Sequence, residues 1–315
     1  EGAEWLERPQ VQAIFAALDG AEGRTRAVGG VVRDSLIGRM REHADIDMAT
    51  ELLPVVVIQR AKAAGINAYP TGIEHGTVTL RLDETSVEVT TLRQDVETDG
   101  RRAKVQFGRD WEADAHRRDF TVNALYCEAD GRIVDLVGGL DDIGTRTIRF
   151  IGEAEERIRE DYLRILRFFR FFAWYGDGRP DSKGLLACAR LKDGLKGLSA
   201  ERVWTEMRRL LEAPDPARAL LWMRQAGVLS LVLPESEKWG IDAIAPLIAT
   251  EKAFEWQPSP LLRLAAMIPH TADHARSVAE RWKLSNADRD RLTDWAAAQG
   301  ALSIAIANPT SLAGL

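Results

Sequence analysis

No apolar run in this chain approaches the roughly 20 residues that a bilayer-spanning helix needs, so no such helix and no membrane partner are expected. The opening residues, EGAEWLERPQ, lack the charged and apolar regions of a signal peptide. Cysteine is scarce: Cys127 and Cys188 are the two, without CxxC spacing or a clustered histidine partner. A zinc site and a disulfide framework are thereby excluded, and a reducing, cytoplasmic compartment is expected. Internal repeats and low-complexity segments are also missing. Positive charge is in short supply over the whole chain, where 42 Lys and Arg stand against 48 Asp and Glu, for a net charge of −6 and a pI near 5.6. That balance argues against a uniformly basic nucleic-acid binder, although a whole-chain sum says little about one face.

What is present is an ordinary globular composition. With 315 residues, 45% hydrophobic and 29% charged, the chain can bury a sizeable core and is expected to form two or three units. Charge is unevenly spread. Residues 157–209 hold 13 Lys and Arg against 7 Asp and Glu, enough for a positive surface toward a phosphate backbone.

The stretch 26–50, RAVGGVVRDSLIGRMREHADIDMAT, concentrates the chemistry. A β-like run, Arg26 to Val28, enters Gly29 and Gly30, and Val31 to Ile37 reads as a short helix ended by Gly38. Glycines let the backbone approach a phosphate, the N–H groups of a helix start point outward, and Arg33 adds a fork of donors. Asp45 and Asp47 follow in a strand-like run, where two-residue spacing sends both carboxylates from one face toward hard divalent cations. Together these are parts of two-metal phosphoryl chemistry. Strand, glycine pair, Arg, helix and DxD in that order resemble the signature of the tRNA nucleotidyltransferase and poly(A) polymerase family, in its bacterial and eukaryotic form.

Before this stretch, Glu4 to Leu18 has the apolar spacing of one amphipathic helix, expected to pack on a sheet edge. After it, Pro54 to Ala64 reads as a helix stopped by Gly65. Thr77 to Arg81 and Ser86 to Leu92 read as strands about the turn Asp83 to Thr85. Glu88 stands in the second as a lone charge between Val87 and Val89, and the family pattern implies that it completes a metal site with Asp45 and Asp47. Arg93 to Gln106 is highly charged with a turn signal at Asp99–Gly100 and reads as a mobile loop. It resembles the flexible loop of family members that add the terminal A. Then RRDFTVNA supplies Arg118, able to reach phosphate or carboxylate, and Asp119, able to accept from a sugar hydroxyl; the stretch matches the family's ribose-recognition motif. Cys127 to Val137 reads as a hairpin about Asp130 and Gly131.

From Ile148 onward helices dominate. Glu153 to Tyr175 reads as one helix closed by Gly176, on which Arg157, Asp161 and Arg164 fall within about 60° of one another. A fixed Asp and Arg pair can present donor and acceptor edges to a nucleobase as a complementary strand would. EDYLRILRFFRF matches the family's EDxxRxxRxxRF motif, which carries base selection to Asp161 and Arg164 and supporting contacts to Arg167 and Arg170. Helices follow at Leu198 to Pro214 and Pro216 to Glu235. Seven of the nine Trp lie from Trp174 onward and are read as helix-packing core. The chain ends after a helical stretch interrupted by Pro309, and the family's C-terminal tail is expected to be missing or cut short.

The resemblance, over about residues 24–235, implies an α+β chain. A polymerase-β-like nucleotidyltransferase head with a small mixed sheet (1–145) would precede a helical neck (146–210) and a helical body (211–315). It implies Mg²⁺-dependent addition of C, C and A to the tRNA 3′ end from CTP and ATP. Asp45, Asp47 and Glu88 would hold metal, Gly29, Gly30 and Arg33 the triphosphate, and Arg118 and Asp119 the ribose. Poly(A) polymerase and enzymes adding only CC or only A share these motifs, and an RNA-binding or chaperone protein is the non-enzymatic alternative. No protein partner can be inferred.

Overall fold

Alternating burial along Thr85–Thr91, with Val87 and Val89 inside and Glu88 outside, sets the architecture of the first half of the chain. The computed structural model describes residues 3–39, 45–99, 102–236 and 241–307, with side chains described outside 94–106 and 299–307. Gly100 and Pro309, singled out above, lie outside the described residues. The chain divides into two units, Glu1–Gly152 and Glu153–Leu315.

In the first unit, α1 (Glu4–Glu7) and α2 (Pro9–Ala17) replace the single helix expected from the periodicity. Pro9 cannot continue a helix begun before it, and Arg8 ahead of it is extended (φ −59°, ψ 128°). The pair does not lie at a sheet edge. Val11, Ile14 and Phe15 share one buried cluster with Val87 and Val89 of the interior strand β5 (Thr85–Thr91). The remaining elements in chain order are β1 (Thr25–Val28), α3 (Gly30–Ile37), β2 (Ile46–Thr50), α4 (Pro54–Ala63), β3 (Asn67–Gly72) and β4 (Thr77–Leu82). After β5 come β6 (Arg93–Asp99), β7 (Arg102–Phe107), α5 (Trp111–His116), β8 (Leu125–Cys127), β9 (Ile133–Asp135) and α6 (Gly139–Gly144).

Seven of these strands form a mixed sheet in the order β3-β4-β5-β2-β1-β8-β9, with β2 and β5 parallel and the other neighbours antiparallel. One face buries Ile46, Met48, Val78, Leu80, Val87 and Val89 beneath α2 and α4. Each such side chain is worth about 1.5–3 kcal/mol, which fixes the register, since a one-residue slip would turn Asp47 and Glu88 into that core. The opposite face carries a smaller cluster of Val28, Ala49, Ala115, Ala124 and Tyr126, and beside it the acids.

The described residues of the expected loop are not loop: Arg93–Asp99 and Arg102–Phe107 pair as the antiparallel ribbon β6–β7, apart from the main sheet. Its Val and Thr residues carry strand propensity that the dense charge obscures in a reading by composition. Residues 146–152 stay with the first unit: Thr121 N–H donates to Arg149 O at 3.1 Å, Ile151 N–H donates to Asp119 O at 3.1 Å, and Phe120 bridges to Phe150.

Among its described residues the second unit has helices and no strand: α7 (Ala154–Glu160), α8 (Leu163–Tyr175), α9 (Ser182–Leu191), α10 (Ala200–Leu211), α11 (Ala217–Gln225) and α12 (Leu229–Val232). Then come α13 (Ile244–Ala253), α14 (Pro260–Met267), α15 (Ala272–Arg281) and α16 (Asn286–Ala307). Among the described residues no helix is long and apolar enough to cross a membrane. Both cysteines are free and buried. Trp282 is buried and stacks on Trp204, as helix packing requires, whereas Trp256 is exposed and stacks on exposed Phe254.

Candidate active site

The glycine turn forms as its residue types demand. Gly29 sits at φ +77°, where a Cβ would be strained, its N–H donates to Leu125 O at 3.3 Å, and Gly30 opens α3. Gly38 closes the helix in the left-handed region (φ 71°). Arg33 leaves the first turn of α3 and is buried rather than held out toward solvent. Its Nη1 donates to Asn123 Oδ1 at 2.6 Å and its Nε to Asp34 Oδ1 at 2.8 Å. The guanidinium thus lies beneath the turn, with Nη2 3.6 Å from where a Cβ on Gly30 would stand.

Asp47 and Glu88 are direct partners in the parallel register of β2 and β5, and both are exposed on the polar face. Asp45 precedes β2 rather than lying in it, yet is near enough to act on Asp47. The Asp47 carboxyl is pushed up from 3.8 to about 6, first by the protein packed around it and then by the negative charge of Glu88. Arg118 pulls the other way, and Asp45 adds a smaller push. Among the described residues no group of three or more Asp, Glu, His or Cys side chains is gathered into an ion cage. The donor set still fits a hard divalent cation, because such ions are held by one or two carboxylates with water and substrate phosphate filling the rest of the shell.

Asp47 and Glu88 line an open cleft of about 470 Å³ together with Arg117 and Arg118. His75 and Arg93 also line it, and sequence reasoning missed both; Arg93 Nη1 donates to His75 O at 3.3 Å, a contact between residues 18 apart that the local sequence does not signal.

Arg117 and Arg118 follow α5, whose start is capped by the Asp110 side chain accepting from Ala113 N–H at 3.1 Å. Asp114, on that helix, is fully buried. It accepts from Arg117 Nε at 2.8 Å, from Arg118 Nη2 at 3.0 Å and from the Tyr126 hydroxyl at 2.8 Å. Burial pushes its carboxyl up, but the two guanidiniums and the phenol outweigh that and hold it below the usual carboxylate range. Burial, with the carboxylate beside it, pushes the Tyr126 phenol well above its ordinary value. The i, i+3 and i, i+4 spacing of Asp114 to the two arginines was the available signal in the sequence. Asp119 Oδ1 accepts from Phe120 N–H at 2.9 Å and from Asn123 Nδ2 at 3.0 Å, so Asp119, Asn123 and Arg33 form one chain under the glycine turn.

In the second unit the expected long helix is broken. Asp161 is extended (φ −155°, ψ 106°) and ends α7, and its Oδ1 accepts from Leu163 N–H at 3.1 Å to start α8. A short carboxylate competes with the helical ladder, and the uninterrupted apolar periodicity concealed this. Asp161 and Arg164 therefore do not share one continuous helical face. Asp161 Oδ2 accepts from Arg202 Nη2 at 2.7 Å, whereas Arg164 Nη1 donates to Arg157 O at 2.8 Å and to Glu160 Oε2 at 2.5 Å. Arg170 Nε donates to buried Glu206 at 2.6 Å, Arg167 lies 3.8 Å from the same carboxylate, and both guanidiniums lie over Phe171.

The family described as "Poly A polymerase head domain" matches residues 25–149, and one described as "Probable RNA and SrmB- binding site of polymerase A" matches 181–239. A mouse protein named CCA tRNA nucleotidyltransferase 1, mitochondrial, is 35% identical over 90% of this chain and 67% of its own length. The crystal structure of the Bacillus stearothermophilus CCA-adding enzyme in complex with CTP superposes with a TM-score of 0.70 at 30% identity, covering 96% of this chain and 71% of that one. The chain belongs to the tRNA nucleotidyltransferase and poly(A) polymerase family. The human CCA tRNA nucleotidyltransferase 1 is 42% identical over 65% of this chain, which spans about half of that relative's length. Within the family frame, the head match takes in the glycine turn, the three acids and the RRD stretch. Asp161 to Arg170 fall between the two matched regions.

Proposed function

We propose that this protein adds C, C and A to the 3′ end of tRNA, using CTP and ATP without a nucleic-acid template. The observation that carries the reading is the pairing of Asp47 with Glu88 in one cleft beside Arg118 and the glycine turn. In the reaction the 3′-hydroxyl of the tRNA gives up its proton to solvent as its oxygen bonds to the α-phosphorus, the bond from the α-phosphorus to the α–β bridging oxygen breaks, and pyrophosphate leaves with the electron pair. Asp47 and Glu88, with Asp45 at the strand entrance, would hold Mg²⁺, which when bound supplies charge to the attacking and leaving oxygens. The start of α3 and the Arg118 guanidinium receive the triphosphate, and Arg33 with Asn123 holds the turn that presents the backbone N–H groups. Asp119 and Arg118 meet the ribose. By the family motif, base selection would fall to Asp161 and Arg164, from the two sides of the α7–α8 break rather than from one helical face, and Arg167 and Arg170 are held beside them through Glu206. The expected neck of 146–210, taken from Glu153 where the second unit begins, would serve as neck, and residues from 211 as body. A cytoplasmic location accords with two free, buried thiols.

The test supplies CTP and ATP, separately and together, to tRNA trimmed to its discriminator nucleotide. The expected products are CC with CTP alone and CCA with both. A long A tail from ATP alone would instead make the chain a poly(A) polymerase, and no incorporation with tRNA binding intact would make it an RNA-binding protein.

A further inference from the structure

We propose that Asp114 is a positioning residue for nucleotide binding: a buried counter-charge that aims Arg118, and beside it Arg117, into the cleft of Asp47 and Glu88. The inference rests on the reading of that cleft as a nucleoside triphosphate site.

The burial and the contacts of Asp114 carry it. Asp114 has no solvent exposure, so its carboxylate has no part in contacting substrate or metal directly. A single oxygen, Oδ2, accepts from Arg118 Nε at 3.2 Å, Arg118 Nη2 at 3.0 Å and the Tyr126 hydroxyl at 2.8 Å. Two bonds from one edge of a planar guanidinium fix its plane and direction, which a single contact would not. The Tyr126 ring, 5.6 Å from the guanidinium carbon, supports the same plane. The remaining nitrogen, Nη1, then points to the glycine turn, 4.0 Å from where a Cβ on Gly29 would stand. Meanwhile Oδ1 accepts from Arg117 at 2.8 Å and 2.5 Å, so Arg117 and Arg118, two of the three arginines lining the cleft, are tied to one carboxylate.

This arrangement answers a physical difficulty. A long, exposed arginine at a phosphate site must lose side-chain freedom on binding, whereas one already fixed by a buried partner has lost it on folding. The cost is a fully buried carboxylate, tolerable because two guanidiniums and a phenol satisfy it. Since triphosphate and ribose are common to both substrates, Asp114 acts equally on CTP and ATP.

The experiment compares steady-state incorporation by wild type, Asp114→Asn, Arg118→Ala and the double variant on tRNA ending in C and in CC. Asp114→Asn is expected to raise KM for CTP and for ATP by about tenfold to a hundredfold, in the same ratio, with a smaller change in kcat. In the Arg118→Ala background it should add little, because its effect is transmitted through that guanidinium. Effects that multiply in the double variant, or a kcat loss at unchanged KM, overturn the proposal. Should Asp114→Asn fail to fold, Tyr126→Phe replaces it in the same cycle, with a few-fold rise in KM that vanishes when Arg118 is Ala. A wild type that incorporates neither nucleotide refutes the reading of the cleft rather than the role of Asp114.

Discussion

Asp47 and Glu88 stand directly opposite each other across the parallel strands β2 and β5, two carboxylates at adjacent positions on one sheet face. Desolvation in the cleft, and after it the repulsion of Glu88, push the Asp47 carboxyl up from 3.8 to about 6. A raised carboxyl value means that the folded state holds its proton to higher pH than the unfolded chain does. The penalty is therefore absent below about 4, grows as pH rises, and is complete above about 6. In chelator, Asp47→Asn should be more stable than wild type at about pH 8, and the difference should shrink as pH falls through 6 toward 4. The same variant should lose nucleotide incorporation. Denaturant midpoints of both proteins across that range provide the check; a difference independent of pH would mean that the Asp47 carboxyl is not raised in the folded state.

Tyr162 occupies the break between α7 and α8, and its ring covers Gly194 so closely that an added Cβ would fall 2.0 Å from a ring carbon. Gly194→Ala should therefore displace the ring and loosen the Asp161 corner, costing about 1–3 kcal/mol as overpacking does. Urea unfolding measures the loss. An alanine tolerated without cost would show that the ring is free to swing and that the corner is not fixed by it.

Much of the head could be read from local signals, because each feature there answers to a neighbour in sequence. Gly29 needs positive φ, Gly38 ends a helix, and Val87-Glu88-Val89 alternates with the pleat. The parts that could not be read depend on partners far along the chain. Arg33 looks like an exposed donor until Asn123, 90 residues later, accepts from it. Arg167 and Arg170 look like nucleic-acid contacts until Glu206 arrives from α10. Asp114 reads as one of many surface charges on a short helix, and only the packing of β8 beneath it brings Tyr126 to its carboxylate. The break at Asp161 was hidden for another reason: apolar periodicity reports which side of a segment is buried and is blind to a two-residue interruption that preserves it.

A buried ion pair ties the second unit together. Arg263 is 1% exposed, donates to Glu251 Oε2 at 2.6 Å, and reaches Leu211 O and Ala213 O at 2.5 Å each. It thus closes the C-terminal end of α10 while joining α13 and α14. Arg263→Met should cost about 3–5 kcal/mol, because it strands the Glu251 charge and the end carbonyls together. Adding Glu251→Met should recover much of that loss, since an apolar pair of similar volume leaves no buried charge. Thermal unfolding of the single and double variants decides; a double variant as unstable as the single would assign the loss to the carbonyls.

Asp161 is tied to Arg202 at 2.7 Å across a partly exposed contact, so removing its carboxylate has two consequences that must be separated. If Asp161 reads the base, Asp161→Ala should relax discrimination against UTP and GTP by about tenfold to a hundredfold, the worth of a bidentate contact at ~1–3 kcal/mol. It should do so with less effect on the rate for the correct nucleotide, because the carboxylate touches no phosphate. If Asp161 serves only as an ion-pair partner and helix corner, its loss costs ~0–1 kcal/mol of stability and leaves nucleotide preference unchanged. Arg202→Ala is the control, since it breaks the same pair while leaving the carboxylate and its bond to Leu163 N–H in place. The base-reading role requires that Asp161→Ala changes preference and that Arg202→Ala does not. Incorporation of all four nucleotides onto tRNA ending in CC measures both. Equal relaxation in the two variants would transfer the effect to the corner geometry, and an unchanged profile in both would move base selection away from this segment.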